Sequence, residues 1–411
     1  MNFTLIPCNR LHARNKCLHK NKNMRYLETT LLVLLLLCSC SHKHNEAKSY
    51  YTTRNIQIED YSMTQYMDSA NCKIEIATEL KMPSNFRYMD GKKLLYENGC
   101  FFLMDSKYNN TIFVFDSVGN YINKLGERGR AKNEYIKSPT DFFVDSNNGN
   151  VHVFERDSRR IIIFTKDGNY KETIQLNYWP YSIGYTSSGN YLASFNYKKA
   201  GDGLQLGVIG LNEEVVNPIL YLQNDFDFVT THNTSILSDG LLYHIPNFSD
   251  SIMVFCGDTV KEVIKLNFPY KEIPNEIKKQ VAKSEMDNYI AFRGINSISN
   301  YYETNSFVNF SYSLSHVKFN CLIDKRNKKQ YHSSGGFFQG VFPGHTYCVK
   351  GDYILWLITQ DDVDDLLSIM KFNSDNYDSD AIFPHVIVKD IMRKKYKLPL
   401  ILKITPCHDV L

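Results

Sequence analysis

The amino-acid sequence predicts an all-β protein: a six-bladed β-propeller with four-stranded antiparallel blades and one short helical insertion. The first observation behind this prediction is composition, because 28 Tyr and 25 Phe stand against only 2 Trp. Aromatic side chains suit the half-buried surface of a pleated sheet. The second observation is an internal repeat of roughly 40–50 residues, which is typical of propeller blades. A hydrophobic share of 43% with 22% charged residues is enough for a packed core.

The two clearest copies of the repeat lie in the first half of the chain. Each copy reads strand, polar turn, strand, Gly-Asn turn, strand, and the turn glycines Gly119 and Gly168 are 49 residues apart. Gly-Asn between two β-rich runs indicates a hairpin, because glycine adopts a positive φ without steric cost. The strands predicted on this basis are residues 101–105 and 111–115 in the first copy, and 151–155 and 160–164 in the second.

The later copies are looser, but they bring the predicted number of blades to six. Residues 188–192, 241–255 and 306–331 belong to the third, fourth and fifth copies. A sixth copy combines residues 347–356 with a strand near residues 73–80. With a helical insertion at 269–294 and an unassigned tail from 371 set aside, six blades average about 45 residues. Five or seven blades stay open at this stage, and residues 398–402 are a candidate closing strand.

The N-terminus has the pattern of an export signal, which we place at residues 1–39. Six basic side chains and one acidic side chain precede or flank Leu31–Leu37, an uninterrupted apolar run. As a helix this run is about 10 Å long, far short of the roughly 30 Å membrane core. A basic segment followed by a short apolar run is typical of a secretion signal. Met24 would be a sufficient start, so residues 1–23 are either an over-long gene prediction or a dispensable extension.

The charge that remains after removal of this segment argues against nucleic acid as a partner. The whole chain carries a formal charge of +3, of which residues 1–39 contribute +5, so the rest carries −2. Nucleic-acid binding needs a strong basic footprint, which a near-neutral protein lacks.

The residues after the apolar run, Leu37-Cys38-Ser39-Cys40, resemble a bacterial lipobox. This resemblance implies acylation at Cys40 and a membrane contact through the lipid. An ordinary signal peptide cut at the same place is the alternative. Residues 40–71 are polar and are predicted to be a lipid-anchored tether, with the propeller at 72–411. Because residues 41–46 lack an acidic run, we expect an outer-membrane lipoprotein of the cell envelope that faces the periplasm rather than the cell surface.

Residues 126–135 and 139–145 resemble the NHL-like six-bladed β-propeller lipoproteins of Gram-negative bacteria. Members of that family show a Gly-x-x-Gly-x-Gly-Pro-x-Glu-Tyr-like crossover, followed by a strand that ends in Asp. This sequence keeps Gly126, Gly129, Glu134 and Tyr135 but lacks the Gly-Pro. The resemblance implies a propeller over most of the mature chain, and it implies little about chemistry because most members have no established activity.

Loops on one face of the predicted propeller supply the candidate ligand-binding residues. In the crossover at 126–138, arginines offer paired donors to a carboxylate or phosphate, which favours an anion or a sugar. The loop at 155–160 and the equivalent loop one blade earlier lie on the same predicted face. The alternative interpretation is a set of solvated structural loops with internal ion pairs. The candidates are Tyr108, Arg128, Arg130, Glu134, Tyr135, Arg156, Asp157 and Arg159.

The sequence has no motif that assigns a cofactor. It contains neither Cys-x-x-Cys nor Gly-x-Ser-x-Gly, so a zinc ribbon and a serine-hydrolase elbow lack support. Asp141 and Asp145 flank an inner strand, where they are candidates either for Ca²⁺ ligands or for turn caps. We therefore predict no metal or cofactor, with Ca²⁺ or Zn²⁺ in the central channel as the alternative. The scattered candidates for such a channel site are His152, His232, His244, His316 and His345.

Together these patterns predict a lipid-anchored, non-enzymatic binding or scaffold protein of the cell envelope. Its expected partner is a glycan, a peptide or an envelope protein. The alternative is a metal-dependent lyase or hydrolase that uses the mouth of the central channel. A third hypothesis, a sensor or assembly partner, requires an exposed apolar patch on one face of the propeller.

Overall fold

Six β-sheets are arranged as the blades of a propeller, which confirms the predicted fold class. The computed structural model describes residues 51–60, 72–84, 86, 89–195, 204–211, 214–221, 234–238, 241–246, 249–282, 287–334, 347–364, 390–391, 393 and 396–406. The compact unit that contains them begins at Tyr51. No helix within these ranges has the length and apolar character that crossing a membrane requires.

The described strands account for almost all of the regular structure. In chain order they are β1 (Thr52–Gln57), β2 (Cys72–Glu79), β3 (Gly91–Glu97), β4 (Cys100–Asp105), β5 (Thr111–Asp116), β6 (Tyr121–Leu125), β7 (Asp141–Val144), β8 (Val151–Glu155), β9 (Arg160–Phe164), β10 (Tyr170–Gln175), β11 (Ser182–Tyr185), β12 (Tyr191–Ser194), β13 (Leu204–Ile209), β14 (Val215–Tyr221), β15 (Thr234–Ser238), β16 (Leu241–Ile245), β17 (Ser251–Cys256), β18 (Thr259–Asn267), β19 (Ile295–Glu303), β20 (Phe307–Leu314), β21 (Val317–Asp324), β22 (Gln330–Ser334), β23 (Tyr347–Lys350), β24 (Tyr353–Ile358) and β25 (Leu400–Pro406). The short helices are α1 (Asn275–Ala282), α2 (Asp287–Ala291) and a 3₁₀ turn at Arg156–Ser158.

Each blade is an antiparallel meander whose first strand lies innermost. Blades 1 to 3 are β3–β6, β7–β10 and β11–β14, and blades 4 and 5 are β15–β18 and β19–β22. The inner strands of neighbouring blades pack together, as β7 does on β11 and β15 does on β19. The predicted strands of the first two repeats coincide with β4, β5, β8 and β9. Helices α1 and α2 lie between β18 and β19, where the helical insertion is predicted.

Blade 6 joins the two ends of the described propeller. Its strand order is β2-β25-β24-β23, so one strand from the N-terminal part completes a sheet of three C-terminal strands. Strand β25 pairs antiparallel with both β2 and β24. The sixth repeat and the candidate closing strand are thereby confirmed. Because β2 pairs with β25, the two ends of the described propeller meet in one sheet, and the ring of blades is closed. The pairing also satisfies backbone groups of β25 that would otherwise be exposed.

The position of β1 corrects the prediction that residues 40–71 are only a tether. Residues Thr52–Gln57 pair in parallel with β18 and add a fifth strand to blade 4. Ile58 follows in a fully buried position within the core shared by blades 4 and 5. The Gln330 side chain of blade 5 donates to the Gln57 carbonyl at 2.7 Å. Ile56 and Ile58 supply the apolar contacts, but two isoleucines within a polar stretch give no strand pattern that sequence alone would reveal.

Aromatic side chains fill the spaces between blades, as the composition predicts. One core cluster contains Phe142 from blade 2 together with Phe102 and Tyr135 from blade 1 and the following crossover. Another joins Phe143 of blade 2 to Tyr185 of blade 3. Residues 360–364 form a helical turn after β24 that the sequence analysis did not predict.

Candidate functional site

The candidate residues belong to turns and crossovers of blades 1 and 2, at the end of the propeller that we call the loop face. It is formed by the turns between the second and third strands of each blade and by the crossovers to the next blade. Ser106 Oγ, in the turn after β4, donates to the Pro139 carbonyl of the crossover at 2.9 Å. Arg160 Nη2, at the start of β9, donates to the Glu134 carbonyl at 3.1 Å. The two turns and the crossover between them therefore form one continuous surface.

The crossover at residues 126–138 is closed on itself by backbone hydrogen bonds. The Tyr135 amide donates to the Glu127 carbonyl at 2.7 Å, and the Gly129 amide donates to the Tyr135 carbonyl at 3.0 Å. These bonds form a short parallel bridge between Arg128 and Tyr135. Gly126 has a φ of +65°, and a Cβ at this position would lie 2.7 Å from the Tyr135 ring. The chain reversal therefore needs glycine here, both for its backbone conformation and for the space.

Tyr135 supports the crossover from inside and is not on the ligand-accessible surface. Its side chain is completely buried, and its hydroxyl donates to the Leu125 carbonyl at 2.6 Å. Burial raises its pKa well above the ordinary value, with a further contribution from the charge of Glu155. The prediction of Tyr135 as a ligand-binding residue is corrected accordingly, because a side chain with no exposed atoms cannot contact a ligand.

Glu134 also acts on the loop itself. Its carboxylate accepts a hydrogen bond from the Ala131 amide at 2.8 Å. It packs so closely over Gly129 that a Cβ there would lie 1.8 Å from Oε2. Since one carboxylate oxygen accepts from the backbone, Glu134 helps to determine the shape of the crossover.

A buried ion pair between Glu155 and Arg160 lies beneath the crossover, in the loop for which the sequence analysis left internal ion pairs as the alternative. The Glu155 carboxylate is fully buried and accepts from Arg160 Nε at 3.0 Å and from Ser158 Oγ at 2.8 Å. It also accepts a short hydrogen bond from the Lys137 amide. A buried carboxylate is tolerated only when it is paired and hydrogen-bonded, and Glu155 meets both conditions. The pair connects the β8–β9 turn to the crossover and holds both in place.

The loop carries four exposed cations, of which Lys137 lies near its end. The other three are Arg128, Arg130 and Lys132. None of them has an ion-pair partner among the carboxylates that the structure describes, whereas the adjacent Glu127 pairs with Lys124. We call residues 126–138 the cationic crossover. Because hydrogen bonds already order the backbone of this loop, the binding of an anion costs mainly the conformational entropy of the side chains.

Aromatic and basic side chains extend the surface toward blade 3. The Arg156 guanidinium lies over the Tyr181 ring, 5.0 Å from its centroid, and Arg156 Nε is 3.3 Å from Asp157 Oδ1. Arg159 is exposed and adopts a left-handed conformation with φ of 53°. Trp179 is 62% exposed, two residues before Tyr181. The sequence analysis missed Trp179 and Tyr181 because a crossover between looser repeats has no motif of its own.

Tyr108 lies at the opposite edge of the loop face. Its side chain is 43% exposed, and its hydroxyl donates to Asp361 Oδ2 at 3.3 Å. Lys107 lies over the same ring, 4.6 Å from the centroid. Tyr108 is therefore accessible, but its hydroxyl faces Asp361, which follows β24 of blade 6, rather than the cationic crossover.

The aspartates that flank the inner strand β7 are engaged by protein groups. Asp141 pairs with Lys93 of blade 1 at 2.5 Å. Asp145 accepts from the Asn147 amide at 2.9 Å, from Asn148 Nδ2 at 2.6 Å and from the Tyr185 hydroxyl at 3.1 Å. Asp145 thus caps its turn, as the second interpretation of these aspartates predicts.

The three candidate histidines that the structure describes are not gathered at one site. His152 and His244 are buried inside blades 2 and 4, and burial lowers the pKa of His152 to about 4 and that of His244 to about 3. His316 is exposed in the turn after β20, while His232 and His345 lie outside the described residues. Within the described part of the chain, no three His, Cys, Asp or Glu side chains are placed to hold a metal ion.

Comparison with known proteins gives a family and a fold. The family described as Domain of unknown function (DUF4934) matches residues 89–382. No curated protein matches the chain. Among solved structures, the chain is similar to a protein of Bacteroides fragilis named "Putative exported protein". The identity is 15% and the TM-score 0.69, over 87% of this chain and 100% of that chain.

Two further structures are more distant. One is a member of the DUF4221 family from Bacteroides vulgatus, 10% identical, with a TM-score of 0.49 over 83% of this chain and 100% of that chain. The other is a catalytically inactive virginiamycin B lyase from Staphylococcus aureus. It is 12% identical, with a TM-score of 0.42 over 82% of this chain and 100% of that chain. At such low identity the likeness to solved structures concerns the fold alone.

Proposed function

We propose that this chain, which belongs to the DUF4934 family, is a lipid-anchored, non-enzymatic propeller that binds an acidic glycan at the cell envelope through its loop face. The observation that carries this proposal is the cationic crossover. Its cations Arg128, Arg130 and Lys132 are exposed on a loop closed by backbone hydrogen bonds, without described carboxylate partners. An array of this kind suits a ligand with several carboxylate or sulfate groups.

Aromatic side chains in the next crossover, near Arg156, favour a glycan over an acidic peptide. Trp179 presents most of its indole to solvent, and Tyr181 already packs against the Arg156 guanidinium. An exposed aromatic face offers a flat apolar surface with a polar edge, onto which the C–H face of a sugar ring can pack. Arginine beside it can pair with an anionic substituent of the same sugar.

The location at the envelope rests on the N-terminal pattern and agrees with one similar protein. The basic and apolar segment before Cys40, and Cys40 itself, lie outside the described residues. The similar protein from Bacteroides fragilis is named as exported. Membrane attachment is tested separately from binding. In a bacterial host, the chain should fractionate with membranes and incorporate labelled fatty acid, and Cys40→Ser should do neither. Equal labelling of the variant would show that Cys40 is not the acylated residue.

The binding experiment uses the chain from Tyr51, where the compact unit begins. The probe is polygalacturonate, with neutral dextran as the comparison, and the readout is calorimetry at about 50 and 200 mM salt. We expect binding of the acidic polymer alone and a steep loss of affinity at the higher salt. The triple variant Arg128→Ala, Arg130→Ala, Lys132→Ala should weaken binding at least about tenfold.

A matched triple variant removes three exposed cations from other parts of the propeller. It carries Lys73→Ala, Lys261→Ala and Lys328→Ala, so it has the same net charge as the crossover triple variant. We expect this control to bind as the unaltered chain does. Equal loss in both triples would mean that net charge, and not the crossover, attracts the polymer. If the chain binds an acidic peptide such as polyglutamate tightly and does not bind polygalacturonate, the partner is a peptide and not a glycan.

The alternative of a metal-dependent lyase or hydrolase stays a prediction from the sequence. No observation on the described residues favours it, and the same is true of bound Ca²⁺ or Zn²⁺ in the channel.

A further inference from the structure

A small cavity lies on the loop face between blades 4 and 5, at the base of the helical insertion. Its volume is about 10 Å³, which is close to the space that one water-sized oxygen needs. The polar groups around it are Ser249, Asp250, Glu272, Asn296 and Ser297, and two isoleucines complete the wall. None of these residues belongs to the cationic crossover, and none was singled out by the sequence analysis as a site.

The insertion itself builds this cavity. Glu272, where the chain leaves blade 4, forms a parallel bridge with Ile295, where the chain enters blade 5. The Ile295 amide donates to the Lys271 carbonyl at 2.8 Å. Gly294 permits this close approach, because a Cβ there would lie 2.2 Å from the same carbonyl oxygen. Backbone contacts therefore hold residues 271–272 against residues 294–295 at the cavity.

Two carboxyl groups, those of Asp250 and Glu272, contribute to the lining of the cavity. Asp250 comes from the turn between β16 and β17, and its Oδ1 accepts from Ser251 Oγ at 2.8 Å. Lys265 Nζ approaches Asp250 Oδ2 to 3.2 Å from the solvent side. Burial, and then the charge and hydrogen bond of Asp250, raise the pKa of Glu272. The two carboxyl groups thus lie close enough to influence each other.

Asn296 contributes a donor to the lining of the cavity. Asn296 is only 2% exposed, and its Oδ1 accepts from the His316 amide at 3.0 Å. That bond determines the orientation of the amide, so Nδ2 is directed away from His316. Asn296 Nδ2 is buried and has no hydrogen-bond partner among the residues that the structure describes. A buried donor without a partner is costly, and native proteins leave few of them unless another molecule satisfies them.

Few chemical groups can bond to the Asn296 amide and to the two carboxyl groups at once. The group must accept a hydrogen bond from Asn296 Nδ2 and donate one to Asp250 or Glu272. A carbonyl or phosphate oxygen can only accept, an ammonium group can only donate, and a metal ion would be repelled by the amide hydrogens. A hydroxyl does both within the volume of one oxygen. Water does the same, and a ligand hydroxyl can displace it with no loss of hydrogen bonds.

We propose that the Asp250–Glu272–Asn296 cavity is a subsite for one hydroxyl group of a sugar. The choice of a sugar as ligand rests on the proposed glycan binding, but the subsite recognises neutral hydroxyls and needs no anionic group. Its position places a second contact for a glycan on the loop face, several blades away from the cationic crossover.

The test uses methyl β-D-glucopyranoside, methyl β-D-galactopyranoside and methyl α-D-mannopyranoside as probes for the chain from Tyr51. Saturation-transfer NMR should detect at least one of them at about 1–10 mM, the weak range expected when one or two hydroxyls are held. Asn296→Asp keeps the acceptor for the His316 amide and replaces the donor with an acceptor, so we expect at least about tenfold weaker binding. The matched control is Asn288→Asp, an exposed position on the same insertion, which should bind as the unaltered chain does.

A second variant covers the case in which Asn296→Asp does not fold. Glu272 is exposed at the cavity rim, so Glu272→Gln should fold and should weaken the same glycoside, because an amide is a poorer acceptor than a carboxylate. The proposal is overturned if no glycoside gives a signal, or if folded Asn296→Asp or Glu272→Gln binds as the unaltered chain does. It is also overturned if Ca²⁺ binds where no glycoside does, which would make the cavity a cation site.

These outcomes are separate from those of the proposed function. The methyl glycosides carry no charge, so the crossover triple variant should bind them unchanged even though it loses polygalacturonate. Conversely, polygalacturonate binding without any glycoside signal would support the cationic crossover as a binding site and would contradict the proposed hydroxyl subsite.

Discussion

The Arg54 guanidinium in β1 and the Glu303 carboxylate in β19 are joined by two hydrogen bonds, Nη1 to Oε1 at 2.9 Å and Nη2 to Oε2 at 2.6 Å. The same guanidinium donates from Nε to Glu262 of β18 at 2.9 Å. Burial would raise the pKa of Glu303, but hydrogen bonds from Arg54, Lys325 and Tyr301 outweigh it and lower the pKa to about 2. One side chain of the N-terminal strand thus connects blade 4 to blade 5.

Replacing Arg54 with Met should lower the free energy of unfolding by roughly 2 kcal/mol, because largely buried Glu303 loses two charge-assisted bonds. Urea denaturation of the chain from Tyr51 measures the change. Lys73→Met is the control, since Lys73 and its partner Glu75 are both exposed. An exposed pair should contribute less than about 1 kcal/mol. Equal effects of the two substitutions would show that the Arg54 bonds are no stronger than a surface pair.

Removing the whole N-terminal strand should have a larger effect than any point substitution. A chain that begins at Cys72 loses the β1–β18 backbone pairing and buried Ile58 along with Arg54. We expect its thermal midpoint to lie at least about 5 °C below that of the chain from Tyr51, as a loss of several kcal/mol implies. Indistinguishable midpoints would mean that residues 51–60 act only as the predicted tether.

Buried histidines should make the fold sensitive to mild acid. His152 Nδ1 is 2.6 Å from the Tyr191 hydroxyl, and His332 Nδ1 is 2.8 Å from the Tyr312 hydroxyl. Burial lowers the pKa of each to about 4 from the ordinary value of 6.5. Between these values the unfolded chain binds a proton that the folded chain does not, so stability falls as pH falls from 6.5 to 4. Each histidine should contribute on the order of 3 kcal/mol to this loss.

Thermal midpoints recorded from pH 7 to pH 4 measure that dependence. The double variant His152→Gln, His332→Gln should be less stable at pH 7, yet its midpoint should vary less over this range. His316→Gln, at an exposed position, is the control and should keep the full dependence. The Glu303 contribution is lost in a different window, as pH falls from 4.5 through about 2. A slope unaffected by the double variant would exclude these histidines as its source.

Gly126 and Gly99 offer a matched comparison for the cationic crossover. Both have positive φ, +65° and +76°, but an added Cβ meets the Tyr135 ring at 2.7 Å in the first case and open space in the second. Gly99→Ala should therefore cost about 1 kcal/mol from backbone strain alone. Gly126→Ala should cost roughly 2–4 kcal/mol, because the clash adds to the strain. The measurement is urea denaturation, and polygalacturonate affinity should fall only for Gly126→Ala.

Much of the fold could be predicted because its signals are local. β-Rich runs separated by polar turns and Gly-Asn turns indicated β4, β5, β8 and β9 within a residue or two of their observed ends. The helical insertion was predicted from a short helix-like run between two repeats. The loop face of blades 1 and 2 was also predictable, because strands of one meander alternate in direction and bring every second turn to the same end.

The candidate site was predictable only in part, because residue type does not reveal which way a side chain points. Arg128, Arg130, Arg156 and Arg159 are on the accessible surface as expected, whereas Tyr135 fills the core. The glycan chemistry assigned to these residues stays a prediction. Trp179 gave no signal, since a single exposed aromatic residue in a crossover resembles a core residue until neighbouring blades are in place.

The sequence by itself determined the repeat and the strands of its clearest copies, because hairpins join residues that are close along the chain, and it left the number of blades between five and seven. Only the tertiary structure decided the number of blades, the pairing of β1 with β18, and which groups meet at the Asp250–Glu272–Asn296 cavity. Arg54 and Glu303 lie 249 positions apart, and no local pattern encodes a contact over that distance. Such contacts follow from the packing of one blade on the next, which also gathers dispersed polar side chains into a site.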